Sequence, residues 1–169
     1  AIRHRLRQVL DDVRANLESL HTQAVSVSQA NNVQLNRPIV DLVISGHAHC
    51  FEYLQTLDTG HADAYTHWLI CGGSGFSLRR QRPEGEQLEE VIDETTHPVA
   101  KSVIFMGRKG HGRNVRRPYS GLEIDVDSAN PPTFRVYPCI TEKVDGHWRN
   151  AKLAPIIIHP IALTDTENT

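Results

Sequence analysis

Two histidines separated by one residue, His47 and His49, are the side chains in this sequence best placed to do chemistry. They close the run Asp41-Leu42-Val43-Ile44-Ser45-Gly46-His47-Ala48-His49. Three branched apolar residues bounded by a glycine read as a short buried strand, with Gly46 letting the backbone turn as the strand ends. In extended backbone, residues i and i+2 project to the same side, about 6.6 Å apart. Two neutral imidazoles so placed suit Zn²⁺, Fe or Mn²⁺, either sharing one ion or each binding one of two ions about 3.5–4 Å apart.

On these residues, the stretch resembles the last signature, Gly-His-x-His, of the calcineurin-like metallophosphoesterases. The resemblance implies an α/β fold, with two mixed β-sheets packed face to face and flanked by helices. It implies two divalent or trivalent ions (Mn, Fe or Zn), with His47 on one and His49 on the other. A metal-activated hydroxide would then attack a phosphomonoester or phosphodiester substrate without a covalent enzyme intermediate. The family's other signatures precede Gly-His-x-His. This chain has no Gly-Asp or Gly-Asn dipeptide, and no Asp-x-His stands ahead of His47. By the resemblance, residues 1–160 are the C-terminal portion of such a domain and residues 161–169 a tail. The N-terminal half of the same domain is the expected partner. The chain alone is expected to be incomplete and inactive, and no catalytic residue is assigned within it.

Two other readings of the residues stay open. One is a mononuclear zinc hydrolase that adds His67 or His111 to His47 and His49. The other is a non-catalytic binding or regulatory module on a degenerate phosphoesterase-like fold. A structural zinc site needs four protein ligands and a catalytic one usually three plus water, so two histidines are too few by themselves.

The elements that must position these groups follow in order. Leu6, Val9, Leu10, Val13, Leu17 and Leu20 recur at spacings of three and four, predicting a helix over residues 2–20 with one apolar stripe. This helix should pack on a sheet containing the strand at 39–45. His4, among arginines, reads as a solvated helix-start residue. Residues 21–37 are rich in Gln, Asn and Ser and read as a helix tail and loop. Strands are predicted at 51–56 and 66–71, the second running into Gly72-Gly73-Ser74-Gly75. His61 and His67 flank this hairpin, and His67 reads as a strand-surface residue. The charged stretch 79–98 reads as a surface insertion, with a short helix over 86–94 turning Leu88, Val91 and Ile92 inward.

A strand at 100–106 leads into residues 107–117. This loop carries five cationic residues, three glycines and His111. Glycines free backbone amides for an anion, and arginines bind phosphate as a fork. His111, Arg113 and Arg116 are therefore candidate substrate-binding residues, expected on the same face as His47 and His49. The remainder reads as β: an alternating strand at 119–126, a turn at Asn130-Pro131-Pro132, a return at 133–140, a hairpin through Asp145-Gly146, and an edge strand at 153–159.

Composition sets the outer bounds. The 169 residues suit one domain or most of one. A net charge of −2 argues against general capture of nucleic acid. Cys50, Cys71 and Cys139 show no paired spacing and leave one over, which suits a reducing, cytoplasmic setting. No apolar run approaches the roughly 20 residues that span a membrane.

Overall fold

The computed structural model describes residues 2–25, 38–92, 94–129 and 131–160. The expected loop over 26–37, the 161–169 tail and Asn130 of the expected turn lie outside these, as do the side chains of residues 2–4, 21–25 and Ile92, whose expected inward position is therefore not described. His4 thus stands within a helix, with its side chain undescribed.

The chain is α/β, with two sheets and one α-helix among the described residues. The first sheet has five strands: β1 (Leu42–Ser45), β2 (Phe51–Thr56), β3 (His67–Cys71), β4 (Gln87–Ile92) and β5 (Thr95–Met106), in the order β1-β3-β2-β5-β4. It is mixed, because β1 runs parallel to β3 while the other neighbours are antiparallel. The second sheet, β6 (Tyr119–Val126), β7 (Phe134–Val144), β8 (His147–Lys152) and β9 (Ile156–Ile158), is antiparallel throughout. Two mixed sheets were expected, and only the first is mixed.

Both sheets contribute to one apolar core. Phe51 and Tyr53, two residues apart on β2, face it with Leu69 and Met106; Val136 and Ile158 meet them from the second sheet. Phe51, Leu69, Val136 and Ile158 are fully buried, and each such side chain contributes roughly 1.5–3 kcal/mol.

The helix α1 (Ile2–Val25) extends further than expected and packs differently. Of its apolar stripe only Leu10 is buried, while Val9 and Leu20 are more than half exposed. Its attachment is polar and made at the β2–β3 connection. Arg7 Nε donates to both carboxylate oxygens of the buried Asp63 at 3.0 and 3.1 Å, and Arg7 Nη1 reaches Glu90 at 3.2 Å. Asp11 accepts the Ala62 amide at 2.7 Å and contacts His61 Nδ1 at 3.0 Å. The helix thus meets the sheet at one end of a hairpin, and its stripe is not laid across the strands.

The expected helix over 86–94 is a strand. Val91, Ile92, Thr95 and Thr96 are β-branched, and Pro98 denies the segment a helical continuation. Gln87–Ile92 and Thr95–Met106 instead pair antiparallel as β4 and β5. Val91, expected inward, is 73% exposed on this edge strand, and Glu89 and Glu90 beside it discourage further pairing.

Candidate metal centre

β1 is a sheet edge among the described strands, and the two histidines follow its C-terminal end. Residues 47–50 are bent, with the Cys50 amide donating to Ala48 O at 2.7 Å. The strand rule for i and i+2 therefore does not set the spacing of the two rings. A facing segment holds the turn in its place. The Gly72 amide donates to Cys50 O at 3.0 Å, and the Arg79 amide to His49 O at 2.8 Å.

Close approach explains the glycines of that segment. A Cβ at Gly72 would stand 1.9 Å from Ala48 O and 2.4 Å from Gly46 O, and one at Gly75 would stand 2.5 Å from His49 Cγ. A Cβ at Gly46 would meet Cys71 O at 4.0 Å, an ordinary contact. The steric need for glycine thus lies opposite the histidine turn, at Gly72 and Gly75.

His47 is exposed and His49 half-buried. His49 Nδ1 lies 3.3 Å from the carbonyl oxygen of Ser77. A carbonyl only accepts, so this contact calls for the proton on Nδ1, and in the neutral ring the free lone pair is then on Nε2. Metal-binding histidines are commonly oriented in this way.

Among the described residues, no group of three or more His, Cys, Asp or Glu side chains is placed to hold a metal ion. His47 and His49 are imidazoles, a ligand type such ions take, but two side chains do not make a complete set. Cys50 is buried beneath the turn. Burial, with Glu52 adding, pushes its thiol up to about 11 against the pull of Arg79 and Arg82.

His67 is a buried core residue, not a surface one. Its Nδ1 lies 2.8 Å from the Tyr53 hydroxyl, and the two rings stack. Paired with Leu42 at the start of β1, it stands at the opposite end of that strand from His47. This removes it as a third zinc ligand. His61 contacts Asp11 on the helix side. The one Asp-x-His of the chain, Asp145-Gly146-His147, is the β7–β8 turn, with φ of 49° and 82° at its first two residues, and hairpin geometry accounts for it.

The cationic loop connects to the histidine turn through Arg79. The Arg79 amide donates to His49 O, and Arg79 O accepts the Arg108 amide at 2.8 Å. Lys109 and Arg116 exchange two backbone hydrogen bonds, and a 3-10 turn at Gly112–Asn114 closes the tip. His111 and Arg113 are exposed. Arg116 is committed elsewhere, because its guanidinium forks onto Glu142 of β7 through Nε and Nη2. Its neighbour Arg117, which was not singled out from sequence, lines a cavity with Arg113 and Lys143.

No family model, no curated protein and no solved structure matches this chain. Among the described residues no helix is long and apolar enough to cross a membrane.

Proposed function

We propose that this chain is the C-terminal portion of a metallophosphoesterase-type sandwich, acting in hydrolysis of phosphomono- or phosphodiesters. His47 and His49 each bind one of two Mn, Fe or Zn ions. The observation carrying this proposal is the Ser77 carbonyl on His49 Nδ1, which leaves Nε2 as the metal-facing atom. When bound, such ions polarise the phosphoryl group and activate water. His47, on the exposed end of the turn, supplies the second imidazole, and residues 72–79 hold the turn fixed.

Two neutral ligands do not complete a binuclear site. We assign the missing carboxylates and remaining ligands to the N-terminal half of the same domain, pairing with the open edge of the parallel strand β1. Among the loop residues, His111 and Arg113 stay available to a substrate phosphate, while Arg116 serves Glu142. The free thiols of Cys50, Cys71 and Cys139 fit a reducing compartment, and we place the protein in the cytoplasm.

Zn²⁺ titration of the ¹⁵N-labelled chain tests the ligand assignment. The Nε2 resonances of His47 and His49 shift together, and both responses vanish in the His47→Ala/His49→Ala variant. Shifts confined to other histidines, or unchanged binding by the double variant, would remove the assignment.

A further inference from the structure

A cavity of about 360 Å³ lies between the cationic loop and the β7–β8 hairpin, away from the residues assigned to metal. Its walls combine three cations, Arg113, Arg117 and Lys143, with two aromatic rings, Tyr119 and Trp148. No carboxylate lines it among the described residues.

Strand alternation explains this separation of charge. Neighbouring residues of an extended chain face opposite ways. Glu142 turns to one side and takes Arg116; Lys143 turns to the other and, with Arg117, lines the cavity. Lys143 is the cross-strand partner of Trp148, so ammonium and indole share one face. Tyr119 approaches that indole with ring centroids 6.2 Å apart and planes tilted by 49°. Trp148 nonetheless stays 59% exposed, a large apolar surface beside three positive groups. The whole chain carries a net charge of −2, so this concentration of cations is local.

We infer that this cavity binds a nucleoside phosphate, with the base against Trp148 and the phosphates on Arg113, Arg117 and Lys143. Guanidinium groups bind phosphate as a fork, and an exposed indole offers a face to any base. Inorganic phosphate alone would leave the aromatic pair unused. A nucleic acid strand is disfavoured by the acidic chain, and the volume lies within the roughly 300–1,000 Å³ of small-molecule sites. The inference does not rest on the metal assignment, because none of these five residues belongs to the histidine turn; Arg113, offered above to a substrate phosphate, is the one residue the two readings share.

Isothermal titration of the whole 169-residue chain with ADP, at low ionic strength and without metal, is the test. Saturable binding is expected, with adenosine and pyrophosphate each at least about tenfold weaker, since each half loses contacts worth about 1.4 kcal/mol or more. Arg117→Gln and Trp148→Ala should each weaken ADP about tenfold or more, with far-ultraviolet circular dichroism unchanged. Lys101→Gln removes one charge on the other sheet and should leave affinity unaltered. The inference is overturned if ADP does not saturate, if pyrophosphate binds as tightly as ADP, or if Arg117→Gln and Trp148→Ala leave affinity unchanged. Preference for a single-stranded oligonucleotide over ADP would overturn it in favour of a strand-binding surface.

Discussion

Gly75 lies so close to the ring of His49 that an added Cβ would stand 2.5 Å from Cγ and 2.6 Å from Cδ2. The orientation of His49 is therefore set from below by a missing side chain and from one edge by the Ser77 carbonyl. Gly75→Ala should keep the fold and move the ring, weakening the His49 response to Zn²⁺ in the nitrogen spectrum while sparing that of His47. An unchanged His49 response would mean that residues 72–77 yield freely and do not hold the ring.

Gly72 and Gly46 make a contrasting pair. The clash at Gly72 is with backbone oxygens, which cannot swing aside as the end of a long side chain can. Gly72→Ala should cost about 1–3 kcal/mol, as overpacking generally does. Gly46→Ala should stay within about 0.5 kcal/mol, as for an ordinary surface change. Urea unfolding of the two variants measures both, and equal costs would contradict the assignment of the steric need to the facing segment.

The Arg7–Asp63 pair predicts a larger loss. Both side chains are almost wholly buried, at 8% and 2% exposure. Arg7→Ala removes the cation from Asp63 and leaves Thr59, which donates to it at 2.7 Å. Breaking a buried pair from one side costs about 3–5 kcal/mol, whereas replacing both members with apolar residues is often near neutral. In urea unfolding, Arg7→Ala should be severely destabilised and Arg7→Met/Asp63→Leu much less so. A cost for Arg7→Ala below about 1 kcal/mol, typical of an exposed pair, would show that the pair behaves as a surface one.

These residues mark where sequence patterning served and where it did not. Period-two alternation located β6 at its observed limits, because Leu122 and Ile124 face the core while Glu123 and Asp125 face water. The Asp145-Gly146 turn was legible because positive φ is written into those residue types. Charge misled at 86–94, where a run of acids hid the β-branched residues that decide for a strand. Arg7, Asp63 and Glu52 are charged residues that the fold buries. Glu52 is buried because Ser102 and Arg82 both donate to it, at 2.7 and 2.8 Å, and no local spacing announces partners fifty and thirty residues away. At the candidate site, the Gly-His-x-His spelling located the turn, but the partners that orient it, Gly72, Gly75 and Ser77, come from tertiary packing. Arg116 and Arg117 look alike in sequence, and only the facing strand separates the one serving Glu142 from the one lining the cavity.

His67 gives the fold a dependence on pH. Burial lowers its pKa below the ordinary 6.5, with Asp41 opposing, and Tyr53 is stacked on its ring. The unfolded chain therefore binds the proton more readily than the native one. By linkage, stability rises with pH between the lowered native pKa and 6.5, and His67 contributes its full share only above that window. Urea midpoints measured from pH 5 to 8 should fall toward the acid side, and the fall should be shallower in His67→Gln. An identical slope in the variant would assign the effect to other groups.

The final prediction concerns metal retention and turnover by this chain alone. Two divalent ions carry four positive charges, and His47 and His49 are neutral ligands that offset none of them. A binuclear centre needs a bridging carboxylate against the mutual repulsion of its ions, and ligands for each ion sufficient to displace its water. The described residues assemble no third His, Cys, Asp or Glu beside the pair. The 169-residue chain should therefore take up Zn²⁺ or Mn²⁺ weakly and lose it on dialysis. It should hydrolyse a generic aryl phosphate no faster than its His47→Ala/His49→Ala variant. Joined to the N-terminal half proposed to pair with β1, it should gain tight metal binding and metal-dependent hydrolysis, both abolished by the same double substitution. Hydrolysis by the chain alone that depends on these histidines would show that the described residues already hold a working site, and that the missing ligands were sought in the wrong place.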